Sequence, residues 1–285
     1  MLHKQILELE NDGLNMAVHK NHLYIRHGKN LSKYEYPSMK KAACTQIFKK
    51  SGKARLILAS ENKIYLRDFC DLYEIDADSL ETLHVWKLGA NASSDICAVG
   101  IDSTKIYACM RGGSIKTIDR TTREIEEFQI CECSAWDIFV SDTFLYIGTV
   151  SGELFKISKF DMTVHARNAL HKKNIYSVFL HGGSLFTTSQ DGAIQISNAE
   201  NLEVVHTRKK AITNMSTITG IYRDCLFTSN PNKNEVSIWN KDELALLSVV
   251  PFPTGGLANN GIILHNHILI GSDSAGIYSL DTDEI

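Results

Sequence analysis

Apolar and polar positions alternate along most of the chain with a period of two, the pattern of half-buried strands, broken at short intervals by turn residues. A short apolar-aromatic signature recurs within this alternation: Leu23-Tyr24, Ile64-Tyr65, Ile106-Tyr107, Leu145-Tyr146, Leu185-Phe186, Leu226-Phe227 and Ile268-Leu269. A second apolar anchor follows each pair 11 to 13 residues later, at Tyr36, Ile75, Ile118, Ile157, Ile196, Ile238 and Leu280. Successive anchors are 39 to 43 residues apart, so the chain is a repeat with a period of about 41. One clear unit holds four strand-like runs, at 96–101, 105–109, 114–118 and 124–130. Asp191-Gly192, Gly112-Gly113, Ser151-Gly152 and Ala275-Gly276 sit between the second and third runs, where tight turns belong. Residues 38–48 are the main ambiguous stretch and are read as a long outer strand.

Four strands per period and seven periods predict an all-β fold, a seven-bladed β-propeller with four antiparallel strands per blade. The last unit ends after its third strand, and residues 4–10 alternate like an unassigned strand. The ring is therefore expected to close with the N-terminal strand completing the last blade, built from 259–285 plus 3–12, within a single domain spanning 1–285. An N-terminal amphipathic helix is the rival reading of those first residues.

The unit at 185–198 resembles the strand-turn-strand segment of the WD-repeat family, with Asp191-Gly192 at its tight turn. Val236-Ser-Ile-Trp239-Asn240 is similar to that family's closing Trp-Asp strand, with Asn240 in place of Asp. No other unit carries Trp at this position and no Gly-His dipeptide precedes a first strand, so the family's His-Ser-Asp-Trp hydrogen-bond network is not expected in full in any blade. The resemblance spans essentially the whole chain and implies a protein-binding scaffold. Asp191, Gly192 and Trp239 are the structural residues it points to. Phosphoinositide-binding members of the wider family share a Phe-Arg-Arg-Gly motif, against which Met110-Arg-Gly-Gly113 offers one arginine.

Composition narrows the function classes. At 285 residues and 31.9 kDa, with 44% hydrophobic and 22% charged residues, the chain is an ordinary globular sequence. No apolar run approaches the roughly 18 residues that span a bilayer, and with acids among the first ten positions an export signal is not expected. Seven cysteines at unrelated spacings argue against a disulfide framework. Cytoplasm is the expected compartment, with the nucleus as the alternative. A net charge of -3 gives no pull toward nucleic acid or anionic membrane.

Candidate chemistry is sparse. Cys131-Glu-Cys133 and His265-Asn-His267 lack the spacing and the second ligand pair that a zinc site needs, so no metal and no cofactor is expected. No nucleophile elbow or phosphate loop is present, and no catalytic residue is assigned. The competing class is a propeller enzyme or small-ligand binder using polar residues near a channel mouth: Glu61, Asp102, Asp142, Asp224 and His265.

Charge divides between the two faces. One should collect Lys29, Lys49, Lys50, Lys53, Arg111, His171, Lys172, Lys173, Lys209 and Lys210, and the other is rich in acids. The basic face suits a protein or peptide partner, in particular an acidic or phosphorylated segment. Residues entering the first strands should form its inner rim: Asn15, Lys53, Asp95, Trp136, Asn174, Thr217 and Asn260. Trp136 stands out among them as a binding anchor, with packing between blades as the alternative. The protein is expected to act as a monomer or as a subunit of a larger complex.

Overall fold

The structure, a computed structural model, describes residues 3–8, 15–48, 57–90, 94–213, 215–252, 258–272 and 276–282. Seven four-stranded antiparallel sheets follow one another along the chain. Blade 3 shows the pattern: Ile96–Ile101, Lys105–Met110, Ser114–Asp119 and Ile125–Gln129 pair in sequence order from first strand to fourth. The sheets stand in a ring, the arrangement of a seven-bladed β-propeller. The ambiguous stretch at 38–48 contains the outer strand of blade 1, Lys41–Gln46.

Burial explains why the second strands carried the repeat signal. The second strand of blade 1, His22–His27, is buried at four successive positions, whereas the outer strand Lys41–Gln46 is exposed at Lys41, Ala42, Cys44 and Gln46. Both faces of a blade are covered by its neighbours, so a middle strand buries alternate side chains on either side. An outer strand has solvent along its free edge.

The core is correspondingly divided. Among the described residues, each pair of neighbouring blades encloses its own apolar cluster, and the core is divided among these seams. Tyr24, Leu31 and Phe48 of blade 1 meet Ile64, Leu66 and Ile75 of blade 2. Phe186, Ile194 and Ile196 of blade 5 meet Leu226, Trp239 and Leu244 of blade 6. The last seam, between blades 7 and 1, joins Leu269 and Ile277 to Met16, Leu23 and Ile25. Each fully buried Leu or Ile in such a cluster contributes roughly 1.5 to 3 kcal/mol.

The ring closes as the sequence predicts. His3–Leu7 pairs antiparallel with Gly276–Asp281, from His3↔Leu280 to Leu7↔Ile277 with one slip between Gln5 and Leu7, as the fourth strand of blade 7. Ile6 and Leu7 pack onto the seam between blades 7 and 1. The strand is therefore both a hydrogen-bonded edge and part of the apolar seal, and residues 9–12 of the expected segment lie outside the described residues.

Deleting residues 1–12 should uncover the edge of Gly276–Asp281 and remove Ile6 and Leu7 from the seal. The expected outcome is aggregation or a large fall in melting temperature, measured by scanning fluorimetry with light scattering. An unchanged melt would show that the ring does not depend on this strand.

Candidate partner-binding rim

The loops from each outer strand to the next blade and the turns between second and third strands lie on one face. Their contacts prove it: Arg111 of a second-to-third turn pairs with Asp95 of an incoming loop at 3.2 Å. Glycine makes this closeness possible. At Gly113 and Gly152, φ is +86° and a Cβ would collide with the carbonyls of Cys131 and His171 in the incoming loops.

In blades 3 to 7 the first strand carries an irregularity near its start, where pairing slips between Ile96/Ala98, Ala135/Asp137, Ile175/Ser177, Ile218/Gly220 and Ala258/Gly261. A bulge of this kind turns a side chain out of the regular alternation. Trp136 is the bulged residue of blade 4, and it is 37% exposed despite lying in an inner strand. The strand begins at Ala135, so Trp136 is its second residue and not the entering residue that the sequence suggested. Its equivalent one blade on is Tyr176, and the two rings meet edge to face at 5.6 Å. The Tyr176 hydroxyl accepts the amide of Met215, which is itself 38% exposed. Thus Trp136 is half packed between blades and half open, with Tyr176 as its floor and Met215 beyond. Behind it, Asp137 accepts the Val178 amide at 2.8 Å, and burial pushes its carboxyl up to about 6.

Two lysine pairs stand in the loops flanking blade 5, Lys172-Lys173 and Lys209-Lys210, and all four are exposed. The first pair sits on a clamp. His171 is buried, with Nδ1 3.2 Å from an Asp191 carboxylate oxygen and Nε2 2.8 Å from the Thr187 hydroxyl. Asp191 also accepts the amides of Lys172 and Ala193 at 3.0 Å. Gly192 completes the turn at φ +84°. Burial lowers the His171 pKa while Asp191 opposes it, and the ring is neutral at pH 7. His171 therefore does not belong to the basic face: it is an internal strut, and it holds Lys172 and Lys173 in place. Burial alone would raise the Asp191 carboxyl, but the two amides and His171 outweigh it and hold it below its ordinary value.

The other rim residues are more constrained than the sequence implied. Asp95 is committed to Arg111 and to the Cys70 thiol, with Sγ 3.6 Å from Oδ1. Thr217 bonds Ser229 within its own blade at 2.8 Å. Asn174 is half-buried, and its carbonyl accepts the Gln190 amide at 2.9 Å. Lys49, Lys50 and Lys53 lie outside the described residues, as do the side chains of Asn15 and Asn260. Trp239 is buried in the seam between blades 5 and 6 and donates Nε1–H to Thr228 Oγ1 at 2.9 Å. Tyr176 and Met215 were not singled out from sequence. Tyr176 could have been found, because it follows Trp136 by 40 residues, one repeat.

On the opposite face the acids are stapled across blades. Glu61 meets Arg120 at 3.2 Å, Asp78 meets Lys33 at 3.1 Å and Asp102 meets Lys159 at 2.6 Å. Within blade 6, Asp224 and Asp242 share Lys241 at 3.3 and 2.8 Å, which ties two turns of the same sheet. Burial would raise the Asp102 carboxyl, but Lys159 and the amides of Lys105 and Thr104 hold it well below the usual carboxylate range. Asp102 and Asp142 line one cleft of about 680 Å³, while His265 lines another of about 390 Å³ beside Tyr36. The polar residues proposed for an enzymatic channel mouth are thus divided among separate sites. Among the described residues, no group of three or more His, Cys, Asp or Glu is placed to hold a metal ion, and no helix is long and apolar enough to cross a membrane.

No protein-family model matches the sequence, and no curated protein matches it. Among solved structures, the crystal structure of the computationally designed Ika8 protein, crystal packing No.1 in P63, is similar with a TM-score of 0.76 at 9% identity. The match covers 97% of this chain and 99% of that one. This likeness shows the propeller fold alone.

The clamp should be visible in stability. Asp191→Ala strands the amides of Lys172 and Ala193 and one nitrogen of His171, at a cost of about 1 to 3 kcal/mol in chemical denaturation. Because folding lowers the His171 pKa, its contribution is fully present above about 6.5 and is lost as pH falls below that value. Wild-type protein should therefore lose more stability between pH 7 and 5 than His171→Gln does. Equal slopes would show that His171 is not held neutral.

Proposed function

We propose that this propeller is a non-catalytic interaction scaffold that receives a protein or peptide segment on the rim of blades 4 to 6. The observation that carries the reading is Trp136: a bulge holds this large aromatic part-exposed against Tyr176, with Lys172 and Lys173 fixed nearby by the His171 clamp. A rigid aromatic on a packed floor loses little entropy on binding, which is why Trp dominates binding hot spots. The lysine pairs give the surface a positive rim suited to an acidic or phosphorylated segment.

Kinship with WD-repeat propellers is part of the same proposal. It is supported by the His171–Asp191–Thr187 chain in blade 5 and by the Trp239–Thr228 bond in blade 6, which together contain the donor and acceptor types of that family's network. In blade 5 the position matching Trp239 is Ser197, so the network there has three members. A reducing compartment, the cytoplasm, accords with seven cysteines that form no disulfide with one another.

Trp136→Ala should weaken partner binding by about 2 kcal/mol or more, roughly thirty-fold in Kd, while the melting temperature stays near wild type. Lys172→Glu with Lys173→Glu should slow association, and the effect should fade with added salt. The measurement is titration calorimetry and stopped-flow association with a partner identified by affinity capture and mass spectrometry. Binding that survives both changes would overturn the rim as the site.

A further inference from the structure

The loop entering blade 4 differs chemically from the loop entering blade 5, although both use one frame. His171 donates its amide to Gly152, and Cys131 donates its amide to Gly113. The carbonyls of His171 and Lys173 crowd Gly152, and those of Cys131 and Cys133 crowd Gly113. Cys131 therefore takes the place of the buried histidine, and Cys133 that of Lys173. Two thiols stand where the next seam has its imidazole clamp. Their sulfurs are 3.9 Å apart. Neither thiol is sealed off: both residues are partly exposed, and Cys133 Sγ also lies 3.4 Å from the Ser151 hydroxyl at the surface.

The geometry points to Cys131 and Cys133 as a redox-modifiable dithiol that a low-molecular-weight disulfide converts into an internal disulfide. This goes beyond the scaffold reading and stands or falls separately from it. The chemistry balances in two exchanges. The Cys133 thiolate, its proton lost to water, attacks one sulfur of the oxidant and expels one thiolate, which is protonated, leaving a mixed disulfide on Cys133. The Cys131 thiolate then attacks Cys133 Sγ, forming the internal bond and expelling the second small thiol. Both cysteines are oxidised, and one disulfide is reduced to two thiols. Burial pushes the Cys131 thiol up to about 11, so the rate of the second exchange rises with the Cys131 thiolate fraction as pH increases. The loop leads directly into Ala135 and Trp136, so the modification lies next to the rim.

The test uses the full chain, freshly reduced and then incubated with mixtures of reduced and oxidised glutathione. The reaction is quenched with acid and free thiols are alkylated. Trypsin leaves residues 124–156 as one peptide whose only cysteines are Cys131 and Cys133. The expected product is this peptide lighter by two hydrogens and free of alkyl groups, whereas the exposed Cys44 accepts only a mixed disulfide or alkylation. Cys131→Ser should stop at a mixed disulfide on Cys133, because the resolving thiol is gone. In wild type the closing step should quicken about tenfold per pH unit from 7 to 9, following the thiolate fraction. A peptide that stays doubly alkylated while Cys44 is modified overturns the inference. So does a wild-type peptide that retains glutathione on either cysteine without closing.

Discussion

Everything in this protein depends on the packing of blade against blade. A four-stranded sheet with two apolar faces is not stable alone in water. Here each face finds its cover on the next blade, through clusters such as Leu23 and Ile25 against Leu269 and Ile277. The arrangement satisfies all blades only if it returns on itself, and His3–Leu7 allows this by joining the first residues of the chain to the last blade. Local sheet formation, seam burial and ring closure are one cooperative requirement.

That requirement also shapes the rim. Because the first strands of successive blades stand side by side, residues one repeat apart in sequence become neighbours in space. Trp136 and Tyr176 meet this way, and so do Asp137 and the Val178 amide. The bulge frees Trp136 from the alternation that would otherwise bury it. Function of the kind proposed needs such residues held on a stiff support, and the seams provide that stiffness.

The two faces are built differently. On the acidic face, Lys33, Arg120 and Lys159 each reach a carboxylate of the neighbouring blade, and Lys241 ties two turns of its own blade, so those charges fasten neighbouring turns. On the basic face, Lys172, Lys173, Lys209 and Lys210 remain exposed, while Asp95 and Asp191 are drawn into structural pairs. Net charge hides this asymmetry, since -3 is a sum over both faces.

The sequence by itself determined the strand type, the number of blades, the tight turn at Asp191-Gly192 and the closing role of the N-terminal residues. These are legible because a period of two and a recurrence near 41 residues are properties of the chain read in one dimension, repeated until they stand above accident. Only the tertiary structure decided what individual polar and aromatic residues do. His171 reads as a surface cation beside two lysines, yet its partners, Thr187 and Asp191, are 16 and 20 residues further on and are brought to it by the fold. Trp136 reads as a strand-entry residue because alternation cannot register an inserted bulge. Asp102 reads as a free carboxylate until Lys159, in the next blade, is placed against it. Each of these roles depends on a partner supplied by another strand or another blade, and the pairing exists only once the seams have formed.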